Sequence, residues 1–178
     1  VHPVILLSKL LDSLVQRNGL KHEDIEQVIA GCVTQAGEQS NNLARNAWLW
    51  LGKTWKTGAT TVDSQCGSAQ QANHMISALI QGGSLDIGIA CGVESMSRVG
   101  LGMNVMNGPG YFHPDGWPWD QTRDQFTSVE RMVKNRGLKR EDIDKFAFES
   151  QTKAAAAWKA GHFDREVLPI EAPILGED

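Results

Sequence analysis

At 178 residues the chain exceeds the usual single domain and falls short of two comfortable ones, so it can bury a real core and carry a smaller appended piece. With 41% apolar and 21% charged residues and a formal net charge of −4, it has the balance of an ordinary soluble protein, and nothing suggests binding to nucleic acid. Its apolar runs break within a few residues, far short of the about 20 that span a bilayer, so a membrane role is unsupported. No charged-then-apolar leader opens the chain, and a cytoplasmic protein is expected.

In chain order, Val4, Leu7, Leu10, Leu11, Leu14 and Val15 recur at helical spacing and predict a helix ended by Asn18-Gly19. Val28 to Val33 is a short β-branched run that reads as a buried strand. Thr34 to Asn42 reads as a loop and Leu43 to Gly52 as a second helix. Thr60 to Asp63 is strand-like and runs through Ser64-Gln65-Cys66-Gly67-Ser68 into a helix over 69–81. That helix has its apolar stripe at Ala69, Ala72, Ile76, Leu79 and Ile80, and Gly82-Gly83 as its cap. Ile87 to Val93 is a continuous small and apolar run, as a central parallel strand would be. Helices alternating with such strands imply an α/β layered fold with a buried parallel sheet.

After Met96 the character changes. Residues 100–120 hold five Gly, three Pro and two Trp with almost no periodicity, which predicts a long functional or domain-crossing loop. Helices are expected again over 126–136 and 140–161. The heptapeptide Gly-Leu-Lys-His-Glu-Asp-Ile at 19–25 recurs as Gly-Leu-Lys-Arg-Glu-Asp-Ile at 137–143, the same helix-start chemistry used twice rather than a repeat. The chain opens on Val1 and stops at Asp178 just after Pro-Ile-Leu-Gly-Glu, without a domain-ending signal, so truncation at both ends is expected.

Three cysteines, Cys32, Cys66 and Cys91, without C-x-x-C or Cys/His spacing argue against a disulfide framework and a zinc site, so reduced thiols and no metal are expected. Cys66 differs from the others by position, between a strand end and the first turn of a helix. There the partial positive charge and free N–H groups favour the thiolate, Gly67 and Ser68 keep the approach open, and the Cys66 N–H can help bind an oxyanion. The rival reading, a small core residue in a tight strand-to-helix turn, stays open on position alone. Cys32 and Cys91 read as core.

A cysteine nucleophile needs a base within hydrogen-bond reach, and no histidine is well placed by sequence. His74 lies eight residues beyond Cys66 on the same helix, about 12 Å of rise away. His22 and His162 sit among charged or loop residues, His2 is at the chain end, and His113 is in the Gly/Pro loop, the one place from which a histidine could swing toward a site. Gly92-Val93-Glu94-Ser95-Met96 matches G-x-S-x-G only loosely, with Glu94 where the serine belongs, so Glu94 reads as polar structure at a strand end. No phosphate-cradling glycine motif opens a helix. Six tryptophans, among them Trp48, Trp50 and Trp55, read as packing or interface residues.

Four blocks of residues are nonetheless similar to those of a known family. Val62-Asp63-Ser64-Gln65-Cys66-Gly67-Ser68-Ala69, then Gly82-Gly83 and Cys91-Gly92-Val93-Glu94-Ser95-Met96-Ser97, resemble the nucleophile segment and following strand of thiolases. Val33-Thr34-Gln35-Ala36-Gly37 with Asn42-Leu43-Ala44-Arg45 resembles the family's preceding strand and loop-helix. Asp142 to Ala157, Gly161 to Asp164 and Val167-Leu168-Pro169-Ile170 resemble the helix and strand of its loop domain. The resemblance implies a layered α/β/α N-terminal domain over 1–99, lacking its first strand, and part of an inserted loop domain over 100–178. It also implies an acyl-CoA C-acyltransferase in which Cys66 carries the acyl group. Coenzyme A is then substrate rather than bound cofactor, acyl-CoA and CoA are the small-molecule partners, and the assembly is a homodimer or homotetramer. The family's histidine base, in a Gly-His-Pro segment, its Asn-Glu-Ala-Phe segment and its second cysteine belong to a C-terminal half. Where many thiolases have a His-Met-Gly segment lining the acyl pocket, this chain has Asp124-Gln125-Phe126 ahead of Ser128-Val129-Glu130, closer to thiolases acting on bulky, steroid-derived substrates. Two alternatives are a non-catalytic thiolase-like acyl-CoA-binding or scaffold domain, and a cysteine hydrolase of another fold.

Overall fold

Alternation along one strand sets the layers. In the computed structural model, which describes residues 1–106, 113–120 and 124–172, strand β1 (Gln27–Gly31) turns Val28 and Ala30 to one face and Ile29 to the other. All three are buried. β1 lies between β2 (Gly58–Val62) and β3 (Gly88–Gly92) and runs parallel to both, with Ile29 opposite Thr60 on one side and Ala90 on the other. The chain thus crosses from β1 to β2 in one direction and from β2 past β1 to β3 in the other. Right-handed crossovers in opposite directions place their helices on opposite faces of the sheet.

That is the observed arrangement. Helices α1 (Pro3–Arg17) and α2 (Leu43–Trp50) cover the Val28 face, where Leu7, Leu11, Val15, Ala44, Ala47 and Trp48 pack with Val28, Ala30 and Ile89 in one core. Each large aliphatic side chain so buried contributes about 1.5–3 kcal/mol. α3 (Ser68–Gln81) covers the other face, with Ala72 and Ile76 against Ile29. The result is the layered α/β/α architecture expected, with helix and strand ends within a few residues of their predicted positions.

Two compact units are present: Val1–Gly110 together with Leu168–Asp178, and Tyr111–Val167. The second holds α4 (Gln125–Arg136) and α5 (Arg140–Lys159). Asp124 starts α4, its Oδ1 accepting from the Thr127 N–H at 2.7 Å, and Gly137 ends it at φ +62°. No helix among the described residues is long and apolar enough to cross a membrane.

The structure departs from the sequence reading in several places. Ala69 and Ile80, expected on the apolar stripe of α3, are exposed, Ala69 at the helix start even though its Cβ lies near Gly92 of β3. β1 stops at Gly31 instead of Val33. β3, expected to be central, has β1 as its only strand neighbour among the described residues. Residues 167–170 form no strand, since a strand exists through its pairing and no described segment pairs with them. The expected 100–120 loop is a run of turns over 101–106, but its residues 107–112 lie outside the described residues, as do the closing 173–178.

Gly31 is where helix and sheet meet most closely. A Cβ there would fall 2.4 Å from the Ala69 nitrogen and 2.5 Å from the Ser68 carbonyl carbon, backbone atoms with nowhere to move. Gly31→Ala is therefore expected to cost about 1–3 kcal/mol through overpacking, read as a lowered urea midpoint.

Candidate active site

Cys66 sits in the turn between β2 and α3, one residue before Gly67, which caps α3. After Val62, the Asp63 Oδ1 accepts the Gln65 N–H at 2.8 Å. Gln65 then adopts φ +51°, a left-handed conformation costing a residue with a side chain roughly 1–2 kcal/mol. The Gly67 N–H donates to the Ser64 carbonyl at 3.1 Å and the Ser68 N–H to the Gln65 carbonyl at 3.0 Å. The buried Ser68 hydroxyl accepts from the Ser64 N–H at 2.9 Å and donates to the Gln65 carbonyl at 2.5 Å. Cys66 emerges from this turn exposed. The capping residue Gly67 makes no side-chain bond to the first turn of α3, and Cys66 stands at that end of the helix.

The turn is pressed onto the carboxyl ends of the strands, where open α/β sheets place their ligands. Besides Gly31, Gly92 at the end of β3 allows this approach, since a Cβ there would lie 3.0 Å from the Ala69 Cβ and 3.2 Å from the Gly31 carbonyl oxygen.

The other two thiols are core residues, as expected. Cys32 is 1% exposed, and burial, then the nearby Glu94 carboxylate, push its thiol up to about 12. Burial pushes the Cys91 thiol up to about 12 as well, and its Sγ lies 3.6 Å from the Ile29 carbonyl oxygen. Both are kept from the thiolate form at neutral pH, when the thiolate is the reactive species.

Glu94 has the structural part that its place at a strand end suggests. Its carboxylate accepts the Val33 N–H at 2.7 Å, the Thr34 N–H at 3.2 Å and the Gln39 Nε2 at 2.9 Å. Gln39, fully buried, completes the clamp: Nε2 also donates to the Thr34 carbonyl at 2.8 Å, and Oε1 accepts the Ser95 N–H at 2.6 Å. Arg98 forks onto Glu38 with two bonds of 2.5 Å. The segments after β1 and β3 are thereby tied together. Partial burial alone would raise the Glu94 carboxyl, yet the hydrogen bonds outweigh it and hold the group below the usual carboxylate range.

The histidines are occupied elsewhere or exposed. His2 Nδ1 accepts the Val4 N–H at the start of α1, and His22 Nε2 lies 2.9 Å from Asp12 Oδ1 with its ring against the buried Trp48. His113 packs at a tilt against Trp117 in the second unit, while His74 and His162 are exposed. Trp48 is packed in the core as expected, whereas Trp50 and Trp55 are exposed at 62% and 72%. Asp124 is the cap of α4 and the adjacent Phe126 is 83% exposed. Among the described residues no cluster of His, Cys, Asp or Glu could hold a metal ion. The sequence reading missed the Ser68 and Gln39 hydrogen bonds: Ser68 reads only as a small residue in the segment around Cys66, Gln39 belongs to no motif, and each acts through the fold.

This geometry is open to two measurements. Iodoacetamide at neutral pH should label Cys66 alone, with Cys32 and Cys91 reacting only after denaturation, as peptide mapping would show. A carboxyl whose folded-state pKa is depressed stabilises the protein above its ordinary titration range, and that stability is lost as pH falls through the folded value. Wild type should therefore melt above Glu94→Gln at about pH 7, and the gap should narrow as pH falls below the ordinary carboxylate range and Glu94 takes up its proton.

Residues 1–177 match the family model described as the thiolase N-terminal domain. A steroid 3-ketoacyl-CoA thiolase of Mycobacterium tuberculosis is 34% identical over 96% of this chain and 44% of its own length. A 3-ketoacyl-CoA thiolase of Aliivibrio salmonicida is 38% identical over 93% of this chain and 42% of its own. Among solved structures, the Bacillus anthracis acetyl-CoA acetyltransferase aligns with a TM-score of 0.74 at 27% identity, covering 97% of this chain and 46% of that one. The Acat5 thiolase of Ascaris suum, solved in complex with coenzyme A, aligns with a TM-score of 0.68 at 31% identity over 88% and 43%. The chain thus spans less than half the length of these relatives. With the layered fold, the cysteine at the strand-to-helix turn and a family match over nearly all its residues, the chain belongs to the thiolase family as an N-terminal thiolase domain.

Proposed function

We propose that the protein is an acyl-CoA C-acyltransferase of the thiolase type, with Cys66 as its nucleophile. The observation that carries this reading is the contrast among three thiols: Cys66 is exposed at the N-terminus of α3, while Cys32 and Cys91 are held protonated in the core. In the degradative direction the Cys66 thiolate adds to the keto carbon of a 3-ketoacyl-CoA. The bond between that carbon and the α-carbon breaks, and its electron pair leaves on the α-carbon as the enolate of acetyl-CoA, which takes up a proton. The acyl group stays on Cys66 as a thioester. Coenzyme A then attacks the thioester as its thiolate, releasing shortened acyl-CoA and restoring Cys66; condensation is the same path reversed.

The general base is taken to come from the part of the relatives that this chain does not span, consistent with five histidines that are either engaged elsewhere or exposed. Coenzyme A serves as substrate, with no bound cofactor, in a cytoplasmic homodimer or homotetramer. The acyl group is taken to be bulky and steroid-derived. Two features support this: the Asp124-Gln125-Phe126 segment and the likeness to a steroid 3-ketoacyl-CoA thiolase.

Intact-mass measurement of the full-length protein after exposure to acetoacetyl-CoA should show one acetyl group added at Cys66, and none in Cys66→Ser. A Cys66→Ser variant that retains turnover would sink the assignment, and release of free acid in place of a new thioester would make the protein a hydrolase. Faster turnover of acetoacetyl-CoA than of a steroid side-chain CoA ester would overturn the substrate class.

A further inference from the structure

We propose that Ser68 is the positioning residue of the nucleophile turn: its hydroxyl holds Gln65 in the left-handed backbone conformation that presents the Cys66 thiol. The inference rests on Cys66 being the nucleophile and concerns how that thiol is held rather than what it attacks.

Three non-glycine residues have positive φ among the described residues: Asn41, Asn42 and Gln65. Asparagine visits this region readily, because its short side chain hydrogen-bonds the local backbone. Glutamine has no such help, so the conformation of Gln65 must be imposed from outside. The two peptide planes that meet at Gln65 are each held. Asp63 takes the N–H of the first at 2.8 Å, and Ser68 takes the carbonyl of the second, through its hydroxyl at 2.5 Å and its own N–H at 3.0 Å. The same hydroxyl accepts the Ser64 N–H at 2.9 Å, which closes the turn from both sides of Gln65.

Ser68 is suited to this because it cannot move. It is 4% exposed, and its Cβ lies 2.8 Å from where a side chain on Gly31 would begin, so the first turn of α3 is seated on β1. Nor is the hydroxyl engaged in starting the helix. The cap of α3 is Gly67, which makes no side-chain capping bond, and the Ser68 hydroxyl reaches back into the turn. Asp63, by contrast, is exposed. Ser68 is thus the anchor that transmits the rigidity of the sheet to the residue beside the nucleophile.

The test uses the full-length protein and reads alkylation of Cys66 across pH together with kcat and KM. Because Cys32 is buried, Cys91 is partly buried and burial pushes both thiols up to about 12, iodoacetamide at neutral pH reports Cys66 alone. Ser68→Ala should slow alkylation roughly tenfold and lower kcat with little change in KM, as expected for a misplaced reacting group. Adding Gln65→Gly should recover most of both rates, since glycine takes positive φ without steric penalty. A folded Ser68→Ala with wild-type alkylation and kcat would overturn the proposal, as would a loss that Gln65→Gly fails to recover. Should Ser68→Ala not fold, Gln65→Val approaches the turn from its other side: a β-branched residue resists positive φ, so slowed alkylation with unchanged circular dichroism supports the proposal and wild-type alkylation overturns it. Alkylation requires no acyl-CoA. The expected alkylation pattern without turnover of any 3-ketoacyl-CoA would therefore leave this inference standing and remove the thiolase reading.

Discussion

The structure depends on how closely the first turn of α3 approaches the ends of β1 and β3. That contact has no room for a side chain at Gly31, and at Gly92 a Cβ would meet the Ala69 Cβ at 3.0 Å. The placement of Cys66 is a consequence. With the helix start seated on the sheet, the chain leaving β2 has only Asp63 to Gly67 in which to reverse onto the helix, and so short a reversal is made by a left-handed residue at Gln65. The thiol then stands outside the packed layers, while Cys32, just beyond β1, is enclosed by them and Cys91, on β3, is partly so.

A second set of constraints works on the same edge of the sheet. Glu94 and Gln39 gather the backbone N–H groups that β1 and β3 leave unpaired as they end, so the loops emerging from those strands are fixed against each other. Buried or partly buried polar groups are costly unless they are fully partnered, and Gln39 uses both ends of its amide. A carboxylate that the sequence reads as polar structure at a strand end thus ties together the loops that leave β1 and β3.

The repeated heptapeptide shows how far local chemistry reaches. At 19–25 and again at 137–143 the glycine takes positive φ, +65° and +62°, and the following lysine N–H donates to the aspartate three residues on, at 2.8 Å for Lys21 to Asp24 and 3.0 Å for Lys139 to Asp142. The start is the same and the outcome is not. The first copy makes a single 3-10 turn, His22–Asp24, and passes into β1; the second opens the 20 residues of α5. The residues downstream of each copy make the difference: Val28, Ile29 and Ala30 are buried between two layers, whereas those after Ile143 stay on the surface as a helix rich in alanine.

Local sequence sufficed for the alternation of helices and strands, the α/β class and the singling out of Cys66 among three cysteines, because each is written in short-range terms: apolar spacing, glycine stops and a strand that runs straight into a helix. It also carried the family, through blocks whose order is preserved along nearly the whole chain. The packed fold was needed to establish which strand is flanked on both sides, which face of α3 is covered, and that Ser68 and Gln39 are structural pivots rather than ordinary polar residues. The physical reason is range. Periodicity and capping act over three or four residues, while the bonds that tie the loop after β1 to Glu94 join positions about 60 apart, and their partners become neighbours only once the sheet has formed.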